Sequence, residues 1–239
     1  MTNKIESIYD TVSATGIKAL IYGRAGAGKT VLCSTAPKPL FISAEDGLLS
    51  IKKIIEEKRA SGQPNYDLPA WRVSSLKDLT EVYNWLASSK EARQFQTFCL
   101  DSISEIAEII IANEKRKSNN IQQAYGFVAD EVIELFRKFR NVKGPNVIFV
   151  AKEQTEKVGI SGAVRVGPMF VGKQLPAATP YLFDLTLNLF VGQDETGKQF
   201  RALKTQPDSE TEAKDRSGRL APIEYPDLTH IINKALGKA

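Results

Sequence analysis

Residues 23–30 read Gly-Arg-Ala-Gly-Ala-Gly-Lys-Thr and satisfy the pattern G-x-x-x-x-G-K-[ST] at every position. The flanks make this the strongest constraint on the fold. Ile17 to Tyr22 (IKALIY) is a short apolar run that reads as a buried strand, and Thr30 to Ser34 can open a helix. Glycines let the backbone curl so that successive N–H groups point at one phosphate, and the following helix adds the positive end of its dipole. On this reading Lys29 neutralises the β and γ phosphates of ATP, and Thr30 holds Mg²⁺ through its hydroxyl. The expected nucleotide-binding segment is Gly23, Arg24, Ala25, Gly26, Ala27, Gly28, Lys29, Thr30 and Val31.

The rest of the chain agrees with an α/β protein. Its 239 residues suit one such domain, here an N-terminal arm over 1–16 and a single core over 17–239. Apolar runs at 39–43 (PLFIS), 95–100 (FQTFCL) and 146–151 (NVIFVA) read as buried strands. Trp71 to Ser74 reads as a short strand, and 181–191 with 199–204 as a paired C-terminal hairpin. Helices are expected over 48–59, from a Ser75 cap to about 88, through most of 103–141 with a break near 118–122, and over 228–236. Strands alternating with helices predict a mostly parallel central sheet with helices on both faces. Residues 155–180 are rich in glycine and proline and read as the longest irregular stretch.

Composition excludes several classes. No apolar run approaches the ~20 residues that cross a bilayer, and the first 16 residues carry acids and no long apolar core, unlike a secretory signal. Cys33 and Cys99 lie in or beside apolar segments, as buried free thiols of a reducing cytoplasm do. His230 is the one histidine, and no Cys/His spacing suits zinc. A net charge of +4 permits a nucleic-acid partner without demanding one.

A phosphate loop needs an acid on the magnesium side at the end of a nearby strand, and Asp101 closes FQTFCLD. Water activation needs a base, and Glu45, just past PLFIS, is expected at the same sheet edge, with Asp46 as its neighbour and competitor. Lys152 and Gln154 follow NVIFVA and are candidate sensors of the γ-phosphate.

The succession GRAGAGKT, LFISAEDGLL, FQTFCLDS and NVIFVAKEQ resembles the RecA/RadA recombinase core. More narrowly, Tyr125-Gly126, the stretch Gly167 to Lys173, LPAATPYLFDLTLNL and Ala213 to Gly218 resemble the phage core-only RecA-like ATPases that anneal single strands, the ATPase branch of the Sak class. The resemblance spans roughly 17–234. It implies Mg-ATP roles for Lys29, Thr30 and Asp101 and the catalytic role for Glu45. Where the recombinases carry a coupling glutamine after the fourth core strand, this chain has Lys152, with Gln154 as the candidate substitute. The resemblance also makes 155–180 a DNA-binding loop, with Lys157, Arg165 and Lys173 following the backbone of single-stranded DNA and Phe170 stacking a base. Lys214 and Arg216 resemble the K-x-R element that reaches a neighbouring subunit's γ-phosphate. The implied protein is a phage or bacterial ATPase that pairs or anneals DNA strands. It assembles as a ring or filament with ATP at subunit interfaces, and a single-strand binding protein is a further expected partner. The competing reading is a helicase-loader-like regulatory ATPase that acts through a protein partner. Trp71 and Trp85 read as core-edge aromatics and Lys115 to Lys117 as an exposed helix end.

Overall fold

The computed structural model describes residues 7, 15–44, 49–116, 121–158, 163–170 and 181–238. Strand β1 (Lys18–Gly23) leads into α1 (Lys29–Ser34), β2 (Pro39–Ser43), α2 (Leu49–Ala60), β3 (Ala70–Arg72) and α3 (Leu76–Ser88). Then follow β4 (Thr97–Asp101), α4 (Ile103–Lys115), α5 (Ile121–Asn141), β5 (Asn146–Val158) and β6 (Ala163–Pro168). The chain closes with β7 (Leu185–Gln193), β8 (Gln199–Lys204), β9 (Lys214–Asp215), β10 (Ile223–Glu224) and α6 (Leu228–Ala235).

One sheet organises these elements, in the order β10-β8-β7-β1-β5-β4-β2-β3, with β6 paired to β5 and β9 to β7. The pairs among β7, β1, β5, β4, β2 and β3 are all parallel. Strands of such a sheet are covered on both sides, which is why they read as continuous apolar runs. On β1, Leu20 and Tyr22 join one core with Phe98, Leu100 and Phe149, which α3, α4 and α5 cover through Leu79, Ile106 and Phe139. Ala19 and Ile21 face the other core with Cys99, Ile148 and Leu187, covered by α1, α2 and α6 through Leu32, Ile51 and Ile231. Each fully buried side chain of this kind contributes roughly 1.5–3 kcal/mol. The result is the expected α/β core, a mostly parallel central sheet with helices on both faces. No described helix is long and apolar enough to cross a membrane.

Ser75 caps α3 as expected: its side chain accepts from the amide of Asp78 at 3.1 Å. Trp71 and Trp85 are half-buried and pack 5.2 Å apart against the core. Two expectations change. The expected C-terminal hairpin β7–β8 forms, but it is part of the main sheet, because β7 pairs directly with β1. The stretch from 155 onward is not irregular at its start. Strand β5 runs on to Val158 and returns as β6, with Thr155 opposite Val166 and Lys157 opposite Val164. Alternating β-branched residues hold this ribbon, and they outweigh the glycines around them. Residues 171–180, and the N-terminal arm before Thr15 apart from Ser7, lie outside the described residues.

Candidate nucleotide site

The loop grows out of the centre of the sheet. Gly23 ends β1, and a Cβ there would stand 2.3 Å from the carbonyl oxygen of Leu189 on β7. Gly26 (φ 77°) and Gly28 (φ 100°) take the left-handed conformation, and Gly28 is the residue from which α1 starts. No acid occupies the first turn of α1, so nothing there repels an anion. The Lys29 ammonium folds back and donates to the carbonyl oxygens of Gly23 at 2.6 Å and Arg24 at 3.0 Å, which holds the cation over the loop.

Asp101 ends β4, two strands from β1 with β5 between them, and is buried. In the ladders it lies level with Val150 and through it with Ile21, two residues short of the loop. It alternates with Cys99 onto the face that α1 covers, where Cys33 meets Cys99. The hydrogen bond with Cys99 and burial push the Cys33 thiol well up, Asp101 adds to the rise and Lys29 opposes it. That thiol therefore feels both the loop cation and the strand-end acid, on one side of the sheet. The hydroxyl of Thr30 and the carboxylate of Asp101 are hard oxygen donors of the kind Mg²⁺ takes. Because Mg²⁺ keeps several waters and leans on substrate phosphates, a cage of three protein ligands is not required. Among the described residues no such cage exists.

The other expected residues divide. Glu45, Asp46 and Lys173 lie outside the described residues. Lys152 stands level with Gly23, but its ammonium is committed to Glu105 at 2.7 Å and Glu108 at 2.8 Å on α4. Those bonds, Glu105 first, push its pKa up, so it is an anchor of α4 rather than a cation waiting for phosphate. Gln154 donates to Glu156 at 2.8 Å along its own strand. Lys214 donates to the carbonyl oxygen of Phe183 at 2.9 Å, and Arg216 pairs with Asp184 at 3.1 Å. Both sit where β9 meets the start of β7, at the sheet edge opposite the loop, so neither serves the phosphates of its own subunit. Lys157 and Arg165 are exposed on the β5–β6 ribbon. Their register puts them on opposite faces, with Arg165 across from Glu156. Phe170 corrects an expectation: it is 9% exposed and belongs to the core with Phe149 and Phe183, so it is not a base-stacking platform. The resemblance offered this ring to a base, but the apolar core holds it.

Two neighbours of the loop went unread in the sequence. Glu153 is nearly buried, meets Arg24 at 3.5 Å and accepts from Asn188 at 3.3 Å. Its place between Lys152 and Gln154 at a strand end was a usable signal. Arg201 on β8 donates through Nε to the carbonyl oxygen of Ala27 at 3.0 Å. It carries no local signal beyond its alternation with Phe200 and Ala202. A cleft of about 860 Å³ opens at the other end of the sheet beside Tyr83, Arg93, Lys143 and Lys238 and does not touch this loop.

Among solved structures the chain is similar to the RadB recombinase at 17% identity, covering 89% of this chain and 91% of that one with a TM-score of 0.45. It is similar to the flagellar accessory protein FlaH of Methanocaldococcus jannaschii at 14% identity, covering 84% of each chain with a TM-score of 0.41. A KaiC-like protein of Pyrococcus horikoshii OT3 is similar at 15% identity, covering 79% and 77%, with a TM-score of 0.40. No curated protein matches. The model of a family described as an AAA domain matches residues 15–217, most of the chain and the whole of the loop and of β4. This chain belongs to that AAA-domain family of P-loop NTPases.

Proposed function

We propose that the protein binds and hydrolyses Mg-ATP and uses the cycle to handle single-stranded DNA, as a recombination factor that pairs or anneals strands. The observation that carries the ATPase part is the placing of Lys29 and Thr30 on α1 over the same sheet face as buried Asp101. The loop amides and Lys29 bind and orient the triphosphate. Thr30 and Asp101 hold the cation, which supplies charge neutralisation when bound. Glu45 is the proposed base that orients and deprotonates water.

The DNA part rests on the exposed cations of the β5–β6 ribbon, Lys157 and Arg165, which stand on a direct extension of the strand beside the loop. Assembly is part of the proposal, and the same map offers support for it. Lys214 and Arg216 sit at the sheet edge opposite the loop, where a head-to-tail neighbour would present its own loop. In such a ring or filament Arg216 would leave Asp184 for the neighbour's γ-phosphate. The second reading, an ATPase that switches a protein partner, is favoured by one observation: Glu156 stands across from Arg165 and dilutes the ribbon's charge. ATP turnover with and without single-stranded DNA, together with DNA binding across a salt series, tests the proposal. Phosphate contacts make affinity fall steeply with salt. The expected result is stimulated turnover and a salt slope that the double variant Lys157→Ala, Arg165→Ala flattens. Turnover indifferent to DNA, with no salt-dependent binding, would favour the partner-switch reading.

A further inference from the structure

The nucleotide reading leaves Arg201 without a role. Its Nε donates to the carbonyl oxygen of Ala27 at 3.0 Å. The same Nε and the Cδ lie 3.3 and 3.6 Å from where a Cβ on Gly28 would stand. Ala27 and Gly28 are the two residues before Lys29, so the guanidinium lies against the part of the loop from which α1 starts.

The sheet delivers it there. On β8, Leu203 is fully buried in the core that α1 covers, and Arg201, two residues away, projects on the same face. Arg201 stands opposite Val191, which is 42% exposed, so at this pair the core gives way to solvent beside the loop. A guanidinium carries five N–H donors in a rigid fork. The bond to Ala27 uses one. Among the described residues Arg201 makes no ion pair and no other hydrogen bond. The fork is therefore fixed at one nitrogen by the loop itself, with four donors left and no carboxylate among the described residues to neutralise it.

We propose that Arg201 is a nucleotide-binding residue supplied in cis by β8. Its terminal nitrogens donate to a phosphate oxygen of the ligand held by residues 23–30, while Nε keeps the loop in place. The inference rests on the ATP reading and adds to it a second cation besides Lys29, brought from β8, two strands away from β1 on the same face. A lysine is not equivalent, because one ammonium cannot replace a fork that binds the carbonyl and a phosphate together.

The test uses the full chain with Mg²⁺ and two probes, ATP and inorganic tripolyphosphate, measured by calorimetry for wild type, Arg201→Ala, Arg201→Gln and Lys29→Ala. The expected result is that Arg201→Ala and Arg201→Gln each weaken both probes by about tenfold, as loss of a charge-assisted hydrogen bond does. They should also lower the slope of log affinity against log salt for tripolyphosphate, a change that a merely structural role would not produce. Unchanged affinity for both probes would overturn the inference, and so would a loss confined to ATP, since tripolyphosphate has no base or sugar. Wild type that binds neither probe, or Lys29→Ala that binds both as tightly as wild type, would instead remove the ATP reading, and the inference with it.

Discussion

Two glycines of one loop are needed for different reasons, and substitution separates them. At Gly23 the difficulty is space. An added Cβ would lie 2.3 Å from the carbonyl oxygen of Leu189 and 3.3 Å from its carbon, where ordinary contacts begin near 3.4 Å. The obstacle is main chain on the adjacent strand, so β1 and β7 must part by about an ångström at the root of the loop. Overpacking of that kind costs roughly 1–3 kcal/mol. In a domain of this size each kcal/mol lowers the melting temperature by about 2–4 °C. At Gly26 nothing lies within 4 Å of an added Cβ, and the difficulty is a φ of 77°. The cost there is backbone strain of about 1–2 kcal/mol for alanine, and asparagine tolerates this region better. Urea denaturation of Gly23→Ala, Gly23→Asn, Gly26→Ala and Gly26→Asn is therefore expected to give opposite orders. Asparagine is worse than alanine at 23 and better than alanine at 26. ATP affinity should fall for both Gly23 variants, because the strand that carries the loop moves. The same order at both positions would refute the reasoning.

Burial holds the Lys18 ammonium at about 8 against an ordinary 10.5, with Asp184 opposing the drop. Between those values the unfolded chain binds more protons than the folded one. Wild type should therefore gain up to about 3 kcal/mol over Lys18→Met as pH rises through that window, and a pH-independent difference in urea midpoints would count against this. Tyr22→Phe removes a hydroxyl that donates to the carbonyl oxygen of Glu212 and, at 3.4 Å, to that of Val166. It should cost about 1–2 kcal/mol and speed amide exchange in β6, read by denaturation and hydrogen exchange. Glu45→Gln should bind ATP as wild type does and turn it over at least 10²-fold more slowly, the typical contribution of a general base. A variant that still cleaves ATP would move the base elsewhere.

Much of this is legible in the sequence, and for a physical reason. Strands β1, β2, β4 and β5 are buried on both faces, so each appears as an apolar run that needs no partner to be recognised. The loop was legible because eight consecutive residues carry it. What failed depended on distance along the chain. Arg201 meets Ala27 across 174 positions, and nothing near residue 201 announces it. Lys152 looked like a lone strand-end cation until α4 was laid beside it with Glu105 and Glu108 one turn apart. The β5–β6 ribbon was hidden because glycines and prolines drew more weight than the alternation of Val164 and Val166.

The arrangement explains why β5 is the strand that matters most to the proposed cycle. It separates β1 from β4, so a ligand spanning Lys29 and Asp101 straddles it near Val150 to Lys152, where β1 and β4 end. That point of β5 is not loose. The Ser104 hydroxyl accepts from the amide of Lys152 at 3.1 Å and donates to the carbonyl oxygen of Met169 at 2.9 Å, and the amide of Met169 returns to the carbonyl oxygen of Lys152 at 2.7 Å. Lys152 itself is pinned to α4 through its two carboxylates. The first turn of α4, the middle of β5 and the residue that follows β6 are thus tied at Lys152, directly beside the loop. The recombinase pattern places a glutamine there, a side chain suited to reading a phosphate. This chain places a cation already neutralised by α4. A nucleotide-driven shift would then reach the ribbon through the main chain of β5 and the Ser104 bonds, and not through the side chain at 152.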